Sequence, residues 1–119
     1  MKKEIIEIYT KSGTFNNIAE IMRMIQTIRS KCTLTNFEEV ARYARKAKNG
    51  KGILVELQVS TKACRDNDCD DFIDITAYEF DGELEEYYAD RELDCVPFNG
   101  NWKTAIEQMK QLADDCEEA

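Results

Sequence analysis

The spacing of apolar residues along this chain switches between a period of two and a period near 3.6, and those switches mark its elements. Residues 4–10 (Glu-Ile-Ile-Glu-Ile-Tyr-Thr) are rich in β-formers and end at Ser12-Gly13, so they read as a strand. Phe15, Ile18, Met22, Ile25 and Ile28 then recur at helical spacing, widened by Ile21 and Met24. They predict a helix over about 15–31 with Thr14 as its N-cap.

A second helix is expected next. Thr35-Asn36-Phe37-Glu38 has the form of a capping box, and Phe37, Val40, Ala41 and Ala44 fall on one helical face. Asn49-Gly50 supplies a stop, and Arg42, Arg45, Lys46 and Lys48 lie where a helix dipole favours cations. Ile53, Val55, Leu57 and Val59 alternate with Glu56 and Gln58, which is a strand. Residues 61–71 read as a loop with a polar tip from Cys64 to Asp71.

Phe72–Phe80 and Glu83–Asp90 flank Asp81-Gly82, a preferred two-residue hairpin turn. Such a turn sets Tyr78 against Glu85, Thr76 against Tyr87 and Ile75 against Tyr88. One face carries Ile73, Ile75, Ala77, Leu84 and Tyr88 toward the core. The other carries Asp74, Tyr78, Phe80, Glu83, Glu85 and Tyr87. A short strand near Leu93–Phe98 is limited by Pro97 to an edge or an end. Asn101 is placed to cap a last helix over about 102–116, with Trp102, Ala105, Ile106, Met109, Leu112 and Cys116 on its buried face. The expected order is βααβββα. The expected class is α+β, a four- to five-stranded mostly antiparallel sheet with three helices packed on it. At 119 residues, with no repeat or linker, a single globular domain is expected.

Charge changes the picture more than composition does. Residues 1–65 hold 13 Lys/Arg and 6 Asp/Glu, whereas residues 66–119 hold 3 and 18, giving +7 and −15 within an overall −8. From Asp66 to Asp94 there are 13 acids and one base, Arg91. Regularly spaced carboxylates on strands project a dense negative field, similar to a phosphate backbone. Such a surface can occupy the basic channel of a nucleic-acid enzyme. Aromatic residues beside the carboxylates are typical of interface anchors.

Other chemistry is thin. There is no histidine to act as general base, no glycine-rich phosphate loop, and five cysteines at irregular spacing. No enzymatic activity, no cofactor and no metal are expected. Asp66, Asp68 and Asp70 open like an EF-hand loop, but Asp71 stands where its glycine belongs and Ala77 where its glutamate belongs. Cys64 and Cys69 lack the partners of a zinc site; they read as two free thiols that could join under oxidation. The odd cysteine count, and Glu4 standing where a signal peptide would begin its apolar stretch, point to a cytoplasmic protein, and no membrane contact is expected.

In size, acidity and lack of catalytic groups the chain resembles the small inhibitors that phages and mobile elements encode against host defence, including anti-CRISPR and anti-restriction proteins. The resemblance is one of overall character and assigns no residue. The leading expectation is a non-enzymatic inhibitor that binds a basic nucleic-acid-handling protein or nuclease complex, without binding nucleic acid directly. Its surface is expected to be Asp66, Asp68, Asp70, Asp71, Asp74, Tyr78, Phe80, Glu83, Glu85 and Tyr87. One alternative is a nucleotide-type ligand held by Arg42, Arg45 and Lys46. Another is an accessory protein whose two charged halves pair in a homo-oligomer.

Overall fold

The computed structural model describes residues 3–81 and 91–118. It is an α+β fold built on a five-stranded antiparallel sheet whose spatial order follows the chain. The strands are β1 (Glu4–Ile8), β2 (Phe37–Lys46), β3 (Gly52–Ser60), β4 (Ile73–Phe80) and β5 (Arg91–Pro97). The helices are α1 (Ile18–Lys31), the one-turn α2 (Lys62–Asp66) and α3 (Ala105–Glu118), the last preceded by a 3-10 turn at Trp102–Thr104.

The main departure from the sequence pattern is β2. The segment expected to be a second helix is a central strand, paired with β1 on one side and β3 on the other. Tertiary pairing overrides its helix-favouring Ala, Arg and Lys content. The Thr35 hydroxyl, instead of closing a capping box, donates to the Phe37 carbonyl at 2.7 Å. Asn49-Gly50 still marks a chain reversal, but the reversal is a hairpin. Gly50 has φ +86° and its N–H donates to the Ala47 carbonyl at 3.1 Å, while Ala47 N–H donates to Lys51 O at 2.8 Å.

Smaller corrections concern helix entries and register. Asn17, not Thr14, caps α1, its side chain accepting from Glu20 N–H at 3.1 Å. Consequently the buried stripe is Ile21, Ile25 and Ile28, while Ile18 and Met22 face outward. On β4, Thr76 pairs with Cys95, Ile75 with Val96 and Tyr78 with Glu92, so the partners are β5 residues rather than Tyr87, Tyr88 and Glu85. The proposed turn partners from Gly82 onward lie outside the described residues.

Both long helices cover one face of the sheet. Ile21, Ile25 and Ile28 of α1 and Ala105, Met109, Leu112 and Ala113 of α3 meet Tyr43, Val55, Leu57, Ile75 and Ala77 in the main core. Burying each large side chain there contributes about 1.5–3 kcal/mol. Trp102 lies between Phe15 and Phe98, with ring centroids 5.4 and 4.5 Å away. The opposite face holds a smaller cluster of Ala44, Leu54 and Phe80, joined by Ile5 and Tyr78. Gly52 belongs to this face for a steric reason: a Cβ there would lie 2.1 Å from Cζ of Phe80.

Candidate functional site

Two regions collect the charged side chains, and they treat carboxylates in opposite ways. The first is the loop that carries β3 into β4, together with the β4–β5 edge. Thr61 starts α2, its hydroxyl accepting from Cys64 N–H at 3.4 Å. The helix ends after one turn because Asp68 adopts a left-handed φ of 60°. Beyond that point the chain presents Asp70 and Asp71 to solvent.

Two of the four loop carboxylates are paired locally. Lys62 Nζ reaches Asp66 at 2.7 Å, and Arg65 holds Asp71 through two bonds of 2.8 and 2.7 Å. The Arg65 guanidinium holds the Asp71 carboxyl below its ordinary value. Asp68 and Asp70 form no ion pair among the described residues, and neither do Asp74, Glu92 and Asp94 on the adjoining strands. Asp74 and Glu92 flank Cys95 and, with burial as the larger cause, help push its thiol up.

The second region is a polar row across the helix-free face of the sheet. Glu39 and Arg42 of β2 stand opposite Gln58 and Glu56 of β3 in register. Arg42 bonds Glu39 closely and lies 3.9 Å from Glu56. Gln58 then links the row onward. Its amide donates to Glu56 and to the Tyr78 hydroxyl, both at 2.9 Å, and its carbonyl accepts from Thr76 at 3.1 Å. Burial and the neighbouring Glu39 raise the Glu56 carboxyl from 4.5 to about 7.

These placements bear directly on the residues expected from sequence. Asp66, Asp68, Asp70 and Asp71 share one exposed loop, with Asp74 half-buried at the start of β4. Phe80 is not an exposed anchor: it is fully buried, its ring seated over Gly52. Tyr78 is half-buried and its hydroxyl is engaged by Gln58. Glu83, Glu85 and Tyr87 lie outside the described residues. Arg45 is buried beneath α3 and bonds Glu117 at 2.8 Å and Asp114 at 2.9 Å, so it is a structural clamp rather than a ligand contact. Arg42 is committed to Glu39. Lys46 lies toward the β2–β3 hairpin, 3.5 Å from the Gly50 carbonyl. The three therefore do not converge on a common site. Glu39, Glu56 and Gln58 were missed as a group. Their signal was the register of β2, which a helical reading of 37–48 hides.

A third feature is a cleft of about 450 Å³ between the β1–α1 connection and α1, lined by Tyr9, Lys11, Arg23, Met24 and Thr27 among others and also by Glu20, whose carboxylate accepts from Ser12. Among the described residues, no group of three or more His, Cys, Asp or Glu side chains is placed to hold a metal ion. No helix there is long and apolar enough to cross a membrane. Comparison with protein-family models, with curated proteins and with solved structures returns no match.

Proposed function

We propose that the protein is a non-enzymatic inhibitor that binds a basic nucleic-acid-handling protein through its exposed carboxylates. The surface comprises the exposed Asp68 and Asp70 of the loop and Glu92 and Asp94 of the edge strand β5, with the half-buried Asp74 of β4 between them and the Arg65–Asp71 and Lys62–Asp66 pairs at its margin. One observation carries the reading. Two arginines of the cationic half are spent elsewhere, Arg42 on Glu39 and Glu56, Arg45 on Asp114 and Glu117, while Arg65 takes only Asp71 of the loop. They leave these five carboxylates without an ion pair among the described residues. Unpaired surface carboxylates attract a cationic partner at long range and lose that attraction in salt.

The anti-defence role suggested by the chain's overall character belongs to this reading, since the channels of nucleases are lined with cations. Immobilised protein should retain a basic nucleic-acid enzyme from a bacterial lysate. Salt should release it, and so should duplex DNA added as competitor. Retention that survives both high salt and excess duplex DNA would refute the reading.

The cleft beside Tyr9 favours a second reading, sequestration of a small anionic ligand such as a nucleotide. Its volume suits a small ligand. Lys11 and Arg23 on its wall form no ion pair among the described residues. A nucleotide screened by thermal shift should raise the melting temperature of the wild type and not of Lys11→Ala/Arg23→Ala. An absence of any shift at millimolar nucleotide would dismiss it.

A further inference from the structure

The end of α2 brings two cysteines into the one pair of positions that a helix terminus naturally presses together. Asp68 sits in the left-handed region at φ 60°. Around it, Cys69 N–H donates to the Cys64 carbonyl at 2.9 Å and Asp68 N–H donates to the Arg65 carbonyl at 3.1 Å. This doubled pattern is a Schellman terminus, in which the side chain just past the turn lies against the one three positions inside the helix end. That contact is usually hydrophobic. Here its two members are Cys69 and Cys64.

Their surroundings differ in a useful way. Cys64 is fully buried, while Cys69 is exposed at the tip. The Cys64 thiol also lies 3.7 Å from the Asp70 carbonyl. Burial pushes that thiol up, and so does Cys69, with lesser contributions from Asp71 and Asp70. Both cysteines are free thiols in the structure, as are Cys32, Cys95 and Cys116. Only Cys69 combines solvent access with a buried thiol held against it by a backbone motif.

We infer that Cys64 and Cys69 form a reversible disulfide site, closed by exchange with a low-molecular-weight disulfide. In the first step the Cys69 thiolate attacks one sulfur of the small disulfide. A Cys69–S–S–R bond forms, and the small disulfide's own S–S bond breaks to release one thiolate. In the second step the Cys64 thiolate attacks the Cys69 sulfur, the Cys64–Cys69 bond forms, and the second small thiolate leaves. The two protons lost by the cysteines end on the two released thiols. Two protein thiols are oxidised and one small disulfide is reduced, so the electrons balance. The second step needs no solvent access to Cys64, because the helix terminus brings the Cys69 side chain alongside it, near enough for the two thiols to interact. The closed ring adds less by chain entropy than a long loop would, and the exposed Cys69 sulfur leaves the bond open to attack by an added thiol.

Cystamine is the suitable probe, because the carboxylates around the loop repel an anionic disulfide. The intact protein is treated with excess cystamine, quenched with acid and mapped by trypsin. Cleavage after Arg65 separates the two cysteines, so a link between them appears as two peptides joined until reduction. The expected result is a linked Cys64–Cys69 pair in the wild type, with the cysteamine adduct on Cys69 about tenfold lower than in Cys64→Ser, where nothing resolves it. In Cys69→Ser, which leaves the core thiol in place, Cys64 should stay unmodified. Equal adduct on Cys69 in the wild type and in Cys64→Ser would overturn the proposal. So would a Cys69 linked instead to Cys95 or to a second copy, or a Cys64 modified without Cys69.

Discussion

Asp71 and Glu56 show how the same functional group meets two fates in one small protein. Asp71 stands at the surface with Arg65 in a two-bond fork, and its carboxyl is held below the usual range. Glu56 stands on a strand between Glu39 and Gln58, and its carboxyl is raised to about 7. Each has an arginine nearby. The difference is the balance around that arginine. Arg65 serves one carboxylate in water, whereas Arg42 is shared by two carboxylates that have lost part of their solvent. Desolvation and a like-charged neighbour outweigh one shared cation. Carboxylates of this chain therefore cannot be counted as one anionic surface. Asp68, Asp70, Glu92 and Asp94 face outward, whereas Glu39 and Glu56 line a partly buried polar seam.

The comparison can be broken first at its most buried arginine. Arg45 ties β2 to the C-terminal turn of α3, which carries Asp114 and Glu117 but no basic residue of its own. Arg45→Ala leaves the partly buried Glu117 without this partner at the negative end of the helix dipole. Chemical denaturation should show a loss of about 3 kcal/mol, because breaking a buried pair strands its partner. A loss within error would mean that α3 is held by packing alone.

Next comes the helix-free face. Gly52→Ala places a methyl group 2.1 Å from the tip of the Phe80 ring, which is fully buried and has no room to retreat. The expected cost is about 2–3 kcal/mol, at the upper end for overpacking. Phe80→Leu in the same background should recover part of it. An unchanged midpoint for Gly52→Ala would mean that the Phe80 ring moves freely.

Glu56 sharpens the contrast through pH. Its folded-state value is raised from 4.5 to about 7, so the folded protein holds a proton there that the unfolded chain has released. Stability from this group is complete below the unfolded value and is lost as pH rises through that window. Glu56→Gln removes the loss, and at pH 8 the variant should be more stable than the wild type by on the order of 2 kcal/mol. Near pH 4 the two should coincide. Parallel curves across the whole range would show that folding leaves the Glu56 titration unshifted.

Asp71→Asn should have the smallest effect of the series. Arg65 lowers its folded value, so its contribution is present above the unfolded value and is lost as pH falls through the folded one. At neutral pH the melting temperature should fall slightly in low salt and not at all in high salt, because the pair is screened. A salt-independent drop would place Asp71 in a tighter structural role than its exposure indicates.

Much of the fold was legible in sequence wherever one period ran undisturbed. The alternation of Ile53, Val55, Leu57 and Val59 gave β3, and the Trp102–Ala105–Met109–Leu112 spacing gave α3. β2 was illegible because Ala41, Ala44, Arg42 and Arg45 favour a helix locally, and only pairing on both edges makes them a strand. The outward loop acids could be read directly, since a run of Asp beside a turn has no core to enter. The seam of Glu39, Glu56 and Gln58 could not, because it exists only once β2 and β3 are in register. Phe80 was misplaced for a related reason: its cover depends on Gly52 of the neighbouring strand, which no local pattern reveals.

The most direct measurement replaces the outward carboxylates and leaves the seam intact. Asp68→Lys, Asp70→Lys and Glu92→Lys are combined in one protein, its melting temperature is checked against the wild type, and both are immobilised for capture from the same lysate. A folded variant should lose the salt-sensitive basic partner, with retention at least about a hundredfold lower, as expected when like charges are brought together at an interface. A folded variant that retains that partner as well as the wild type would contradict the account.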